Sequence, residues 1–101
     1  MQLSTNETTL LQRFFAGRPV KKAFVFGSYA RDTAIKGQSD LDILVELDHS
    51  TPIGMQFFTY RDELEDLLKR KIDLVSSEGL SRFIRPIIDK EKILIYERAG
   101  G

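Results

Sequence analysis

Cysteine is absent from the chain, so no disulfide framework, thiolate metal site or cysteine nucleophile can be built from it. That composition fits a reducing cytoplasm, which is the expected location. An excess of either charge is also missing: Lys plus Arg number 15 and Asp plus Glu number 15. The broad attraction that drives non-specific nucleic-acid binding is therefore lacking, and no nucleic-acid partner is expected. Long apolar runs are missing too. Ala23–Phe26 and Ile93–Tyr96 are four residues each, far below the ~20 needed to cross a bilayer. The opening MQLSTNETTLLQRFF has no basic residue ahead of an apolar core and does not read as a secretory signal. Repeats, low-complexity tracts and linkers are absent. With 101 residues there is room for one compact domain, expected over 1–98, with Ala99-Gly100-Gly101 as a loose end.

What is present is a regular alternation of helix and strand signals. Ser4 followed by Glu7 has capping-box spacing, and Leu10, Leu11, Phe14 and Phe15 recur at helical period before Gly17 and Pro19. Lys22–Phe26 is β-branched or aromatic and runs into Gly27-Ser28, a strand ending in a tight turn. Tyr29–Ala34 predicts a brief helix and Lys36–Ser39 a loop. From Leu41 to Leu47 apolar residues alternate, with Leu41, Ile43, Val45 and Leu47 on one face and Asp40, Asp42, Leu44 and Glu46 on the other. Ser50-Thr51-Pro52 predicts the start of a longer helix carrying Phe57, Tyr60, Leu64, Leu67 and Leu68, closed by the cations Lys69-Arg70-Lys71. Ile72–Val75 predicts a third strand, Arg82–Lys90 around Pro86 a short helix, and Ile93–Tyr96 a fourth strand. The expected class is α/β (α+β): a small mixed sheet of about four strands with helices packed on it.

Asp40 and Asp42 stand two apart at a strand start, so both carboxylates point to one face and can converge on one cation; an all-oxygen pair suits Mg²⁺. A bare Asp-x-Asp is more often a pair of solvent-face charges. Its context alters that balance, because a Gly-Ser turn stands one loop upstream at the end of another strand. Gly27 allows the backbone to approach a phosphate closely, and Ser28 adds a hydroxyl beside exposed N–H groups.

Phe26-Gly27-Ser28 and Asp40-Leu41-Asp42-Ile43 together match the pattern of the DNA polymerase β-like nucleotidyltransferases, which the chain resembles. The stretch FGSYARDTAIKGQSDLDILVEL and the closing GLSRFIRPIIDKEKILIYE are similar to the minimal nucleotidyltransferase (MNT) antitoxins of HEPN–MNT toxin–antitoxin pairs, covering Lys22 to Tyr96. Eleven residues separate Ser28 from Asp40, slightly more than those antitoxins usually have. The resemblance implies a third carboxylate in an apolar-acid-apolar strand, and Ile72-Asp73-Leu74 matches it; alone, Asp73 would read as an edge charge or a partner of Lys71. It further implies two Mg²⁺ ions and ATP. Asp40 and Asp42 would hold the ion on the β- and γ-phosphates, and all three acids the ion that activates an acceptor hydroxyl. The implied activity is transfer of AMP to a tyrosine of a HEPN-domain ribonuclease toxin. A chain this short has little room for an acceptor pocket of its own, which agrees with a protein acceptor. Two other readings stay open: an antitoxin that neutralises its partner by steric masking, and a subunit that binds nucleotide without turnover.

Arg31, three residues past Ser28, either reaches the triphosphate or is a solvated helix charge. His49, the only histidine, reads as a surface turn residue with no fixed partner. Lys21-Lys22 and Lys69-Arg70-Lys71 read as solubility and helix-dipole charges. Arg82 and Arg85 around Phe83 are candidates to face a partner protein. Glu78 is the next acid in line should Asp73 lie outside the site.

Overall fold

The computed structural model describes residues 1–50 and 52–99. Three helices and four strands follow one another as α1 (Thr5–Ala16), β1 (Val20–Phe26), β2 (Leu41–Leu47), α2 (Gln56–Leu68), β3 (Ile72–Ser76), α3 (Arg85–Glu91) and β4 (Ile93–Glu97). Single 3-10 turns cover Gly27–Tyr29 and Ser77–Gly79. The sheet order is β3-β2-β1-β4, with β1 antiparallel to both β2 and β4 and β2 parallel to β3. This is the small mixed α+β sheet expected.

The capping box forms: the Ser4 hydroxyl accepts from the Glu7 N–H at 3.1 Å and the Glu7 carboxylate accepts from the Ser4 N–H at 3.3 Å. Two N-terminal donors of α1 are thereby satisfied. The helix turns Leu11, Phe14 and Phe15 inward, onto the face of the sheet that carries Ala23, Val25, Leu41, Ile43, Val45 and Ile95. From α2, Tyr60 and Leu64 cover the same face, and Phe14 meets Tyr60 edge to face at 6.0 Å. The opposite face is thinly covered. Phe24, Leu44 and Ile88 of α3 make a second, smaller cluster there. Because Asp42 shares a face with Leu44, it emerges on this thin side, at the sheet end.

Three local expectations need correction. Tyr29–Ala34 forms no helix: the 3-10 turn ends at Tyr29, and Asp32 adopts a left-handed φ of 62° that stops propagation. The second helix starts at Gln56 rather than beside Pro52, because Gly54 at φ 53° interrupts the chain, while the Ser50 hydroxyl donates to Asp48 instead of capping a helix. Of that expected cap, Thr51 lies outside the described residues, as do Gly100 and Gly101 of the expected loose end. The last helix begins at Arg85, with Pro86 in its first turn, and not at Arg82.

Candidate active site

β1 ends where β2 begins, and β3 begins beside β2. In that register Phe26 faces Asp42 across the antiparallel pair, and Asp42 faces Asp73 across the parallel pair. Paired residues in a ladder point to the same face, so Asp42 and Asp73 emerge together, with Asp40 one pleat outside β2. The structure thus brings Asp40, Asp42, Asp73 and Gly27 to one end of the sheet. Asp73 is exposed and, among the described residues, has no ion-pair partner. The alternative pairing with Lys71 does not form.

Gly27 is where the turn touches the acids. Its φ is 72°, and a Cβ at this position would lie 3.0 Å from the Asp42 Cγ and overlap Oδ2 outright. Only glycine meets both demands. Packed against this backbone and flanked by like charges, Asp42 has its pKa pushed up to about 6: burial is the largest cause, then the charges of Asp73 and Asp40, with Arg31 opposing and Glu91 adding. The donors at this corner are carboxylate oxygens, the type a hard divalent cation takes. Among the described residues no three of them stand close enough to ligate one ion as they lie.

Glu91 escaped the sequence reading. It is the last residue of α3, and its Oε2 accepts both from the Gly27 N–H at 2.9 Å and from Arg31 Nη1 at 2.6 Å. A signal was available: a carboxylate in the last turn of a helix opposes the macrodipole, so it needs a partner elsewhere. Arg31 is therefore neither on a helix nor a free solvated charge; it is paired across 60 residues while half its side chain stays exposed. Ser28 is partly buried beside Gly27, and its carbonyl accepts from the Thr33 N–H at 2.9 Å.

Several other candidates leave the site. His49 does have a partner, its Nε2 lying against a carboxylate oxygen of Glu78. That pair lies past the far ends of β2 and β3, since Val45 faces Ser76 there, so Glu78 cannot stand in for Asp73. Arg70 turns from the helix end to Glu7 at 2.7 Å and lies over the Tyr29 ring at 4.3 Å. Arg85 donates to the Ser77 carbonyl, and Arg82 lies over the exposed Phe83 ring at 5.1 Å. Lys22 pairs with Glu97 across the strands at 3.6 Å. A cleft of about 630 Å³ opens between α1 and the end of α2, lined by Ser4, Glu7, Tyr29, Lys36 and Arg70 among others. None of the acids of the sheet end lines it, so the cleft and the chemistry are separate.

The nucleotidyltransferase domain family model matches residues 9–98. The chain belongs to this family. MJ1215 of Methanocaldococcus jannaschii, which carries a provisional protein adenylyltransferase name, is 43% identical over 61 residues, 60% of this chain and 69% of its own. A solved structure provisionally described as a minimal nucleotidyltransferase is 30% identical, with a TM-score of 0.71 and 87% of each chain covered. Two more distant structures share the fold of this nucleotidyltransferase. One is a toxin–antitoxin with AMP-PNP, with a TM-score of 0.76, 18% identity, and 91% of this chain and 74% of that one covered. The other is a tri-AMPylated Shewanella oneidensis HEPN toxin in complex with its MNT antitoxin, with a TM-score of 0.72, 15% identity, and 95% and 74% covered.

Proposed function

We propose that this nucleotidyltransferase is a Mg²⁺-dependent protein adenylyltransferase that moves AMP from ATP to a tyrosine hydroxyl of a HEPN-domain toxin and so acts as its antitoxin. The observation that carries the reading is the contact of Gly27 with Asp42, in register with Asp73. A turn able to seat phosphate and a set of carboxylates able to seat cations meet at one point, which nucleotidyl transfer needs and a purely steric protein does not. The provisional name of MJ1215 and the AMPylated toxin bound to an MNT antitoxin agree with this choice of reaction and partner.

In the proposed reaction the tyrosine hydroxyl gives up its proton to solvent, its oxygen attacks the α-phosphorus, the bond from that phosphorus to the bridging oxygen breaks, and pyrophosphate leaves. Gly27 and Ser28 would hold the triphosphate through backbone N–H and hydroxyl donors, with Arg31 adding charge. Asp40, Asp42 and Asp73 would hold Mg²⁺, which when bound offsets phosphate charge and makes the acceptor hydroxyl easier to deprotonate. Asp73, exposed on β3, is placed to meet an acceptor arriving from outside. The thin covering of this sheet face leaves room for that acceptor to be another protein.

The test is incubation of the chain with ATP labelled at the α-phosphate, Mg²⁺ and a HEPN-domain toxin. Label is expected on a toxin tyrosine with release of pyrophosphate, and the toxin's ribonuclease activity is expected to fall. A stable complex that silences the toxin without any label would instead mean steric masking, and no complex at all would remove the antitoxin reading.

A further inference from the structure

The Gly27 N–H and the Arg31 guanidinium are two of the donors at the turn in which a phosphate would sit, and both are already occupied by an anion belonging to the chain itself. A single oxygen, Glu91 Oε2, takes both bonds, at 2.9 and 2.6 Å. We propose that Glu91 is a positioning residue that holds these two donors as a preformed anion seat and is displaced from it by a nucleotide phosphate. This inference rests on the nucleotidyl-transfer reading above and names what guards its phosphate site.

Three features distinguish such a placeholder from an ordinary ion pair. The seat is asymmetric in exposure: the Glu91 side chain is 14% exposed whereas that of Arg31 is 52% exposed, so the cation remains open to an incoming anion while the carboxylate is held from behind. Glu91 also sits in an unfavourable position, at the C-terminal end of α3 where the helix dipole repels it. Among the described residues neither flanking lysine, Lys90 or Lys92, pairs with it, and Lys92 is paired with Asp89 at 2.9 Å. Finally, the carboxylate adds negative charge to a corner that already holds Asp42, which lies against Gly27, with Asp73 in register beside it. A phosphate entering the seat exchanges one anion for another at the donors. Glu91 is then free to swing away from the acids on its flexible side chain.

The probe is inorganic tripolyphosphate, titrated by calorimetry into the wild-type chain and into Glu91→Gln. The amide keeps the size of the side chain and an acceptor oxygen, but it loses the charge that strengthens both bonds. Tripolyphosphate is expected to bind Glu91→Gln about fivefold to tenfold more tightly than wild type. Equal or weaker binding by the folded variant, or no binding by either protein, overturns the proposal. Should Glu91→Gln fail to fold, the wild type still answers by NMR. On titration the Gly27 amide and Glu91 carboxyl resonances are expected to shift together, along one saturation curve, and saturation that leaves Glu91 unmoved overturns the proposal. Because no acceptor or turnover enters these measurements, a failure of AMP transfer with seat exchange intact would count against the proposed reaction alone.

Discussion

Asp42 is the residue on which the fold and the chemistry pull in opposite directions. Its folded pKa of about 6 lies above the ordinary 3.8, so between those values the native state holds a proton more firmly than the unfolded chain. The sign follows from linkage: no penalty applies below about pH 4, and stability is lost as the pH rises through about 6. Asp42→Asn is therefore expected to raise the melting temperature at pH 7.5 and to leave it unchanged at pH 4. Allowing for solvent screening of a half-exposed group, the gain is about 1 kcal/mol, or a few degrees. The same variant is expected to lose Mg²⁺-dependent transfer. Thermal melts at the two pH values check this, and a variant less stable at both would show that Asp42 holds the fold together. At Gly27 the expectation reverses. Gly27→Ala is expected to cost more than about 1 kcal/mol from its positive φ alone, with the overlap on Asp42 added. In an Asp42→Ala background the overlap portion should disappear, so a double-mutant cycle should give a coupling of about 0.5–3 kcal/mol. Strict additivity would mean that the contact carries no energy.

β3 is the element that converts a pair of acids into a set of three. Its parallel pairing places Asp73 opposite Asp42, and a slip of one residue would send Asp73 to the other face, among the core side chains. Register is held from that core side by Ile72, which is buried and faces Leu41, and by the Ile72 N–H donating to Glu65 of α2 at 3.0 Å. Asp73→Asn is expected to bind ATP nearly as wild type while transfer to the partner falls by ~10²–10⁴, the scale for losing a group that assists hydroxyl deprotonation. Since Asp73 is exposed and unpaired among the described residues, its removal should change stability by well under ~1 kcal/mol. ATP calorimetry and single-turnover transfer on the same protein check both halves. Unchanged transfer would remove Asp73 from the site, and Glu78 is no substitute because it lies beyond the opposite end of the strand, with His49.

At the scale of the whole molecule, α1, α2 and all four strands contribute to one core, from Leu11 and Phe15 through Val25, Ile43 and Leu64 to Ile72 and Ile95. None of these six elements can leave without opening it, and α3 is tied to the sheet through Ile88 against Phe24 and Leu44, so unfolding in urea is expected as a single transition, coincident by far-ultraviolet circular dichroism and tyrosine fluorescence. Leu64→Ala, at a fully buried position, is expected to cost about 2–5 kcal/mol and to move the midpoint without changing the slope. Two separated transitions would contradict a single core.

The amino-acid sequence alone determined the elements whose causes are local: the Ser4–Glu7 cap, the period-two alternation of Leu41–Leu47, and the Gly-Ser turn after an apolar strand are each written within a few residues. It also carried the resemblance that picked out Asp40, Asp42 and Asp73. Boundaries set by backbone conformation were harder to read, because Asp32 stops one helix and Gly54 delays the start of another by adopting positive φ, which their residue types permit but do not require. Only the tertiary structure decided which distant residues touch. The partnership of Glu91 with Gly27 and Arg31 spans 64 and 60 residues, and the removal of Glu78 from the site depends on which end of β3 meets Asp42. Such contacts follow from the strand order and the packing of α3 on the thin face of the sheet. Those in turn are fixed by the whole core acting together, and no short stretch of sequence encodes them.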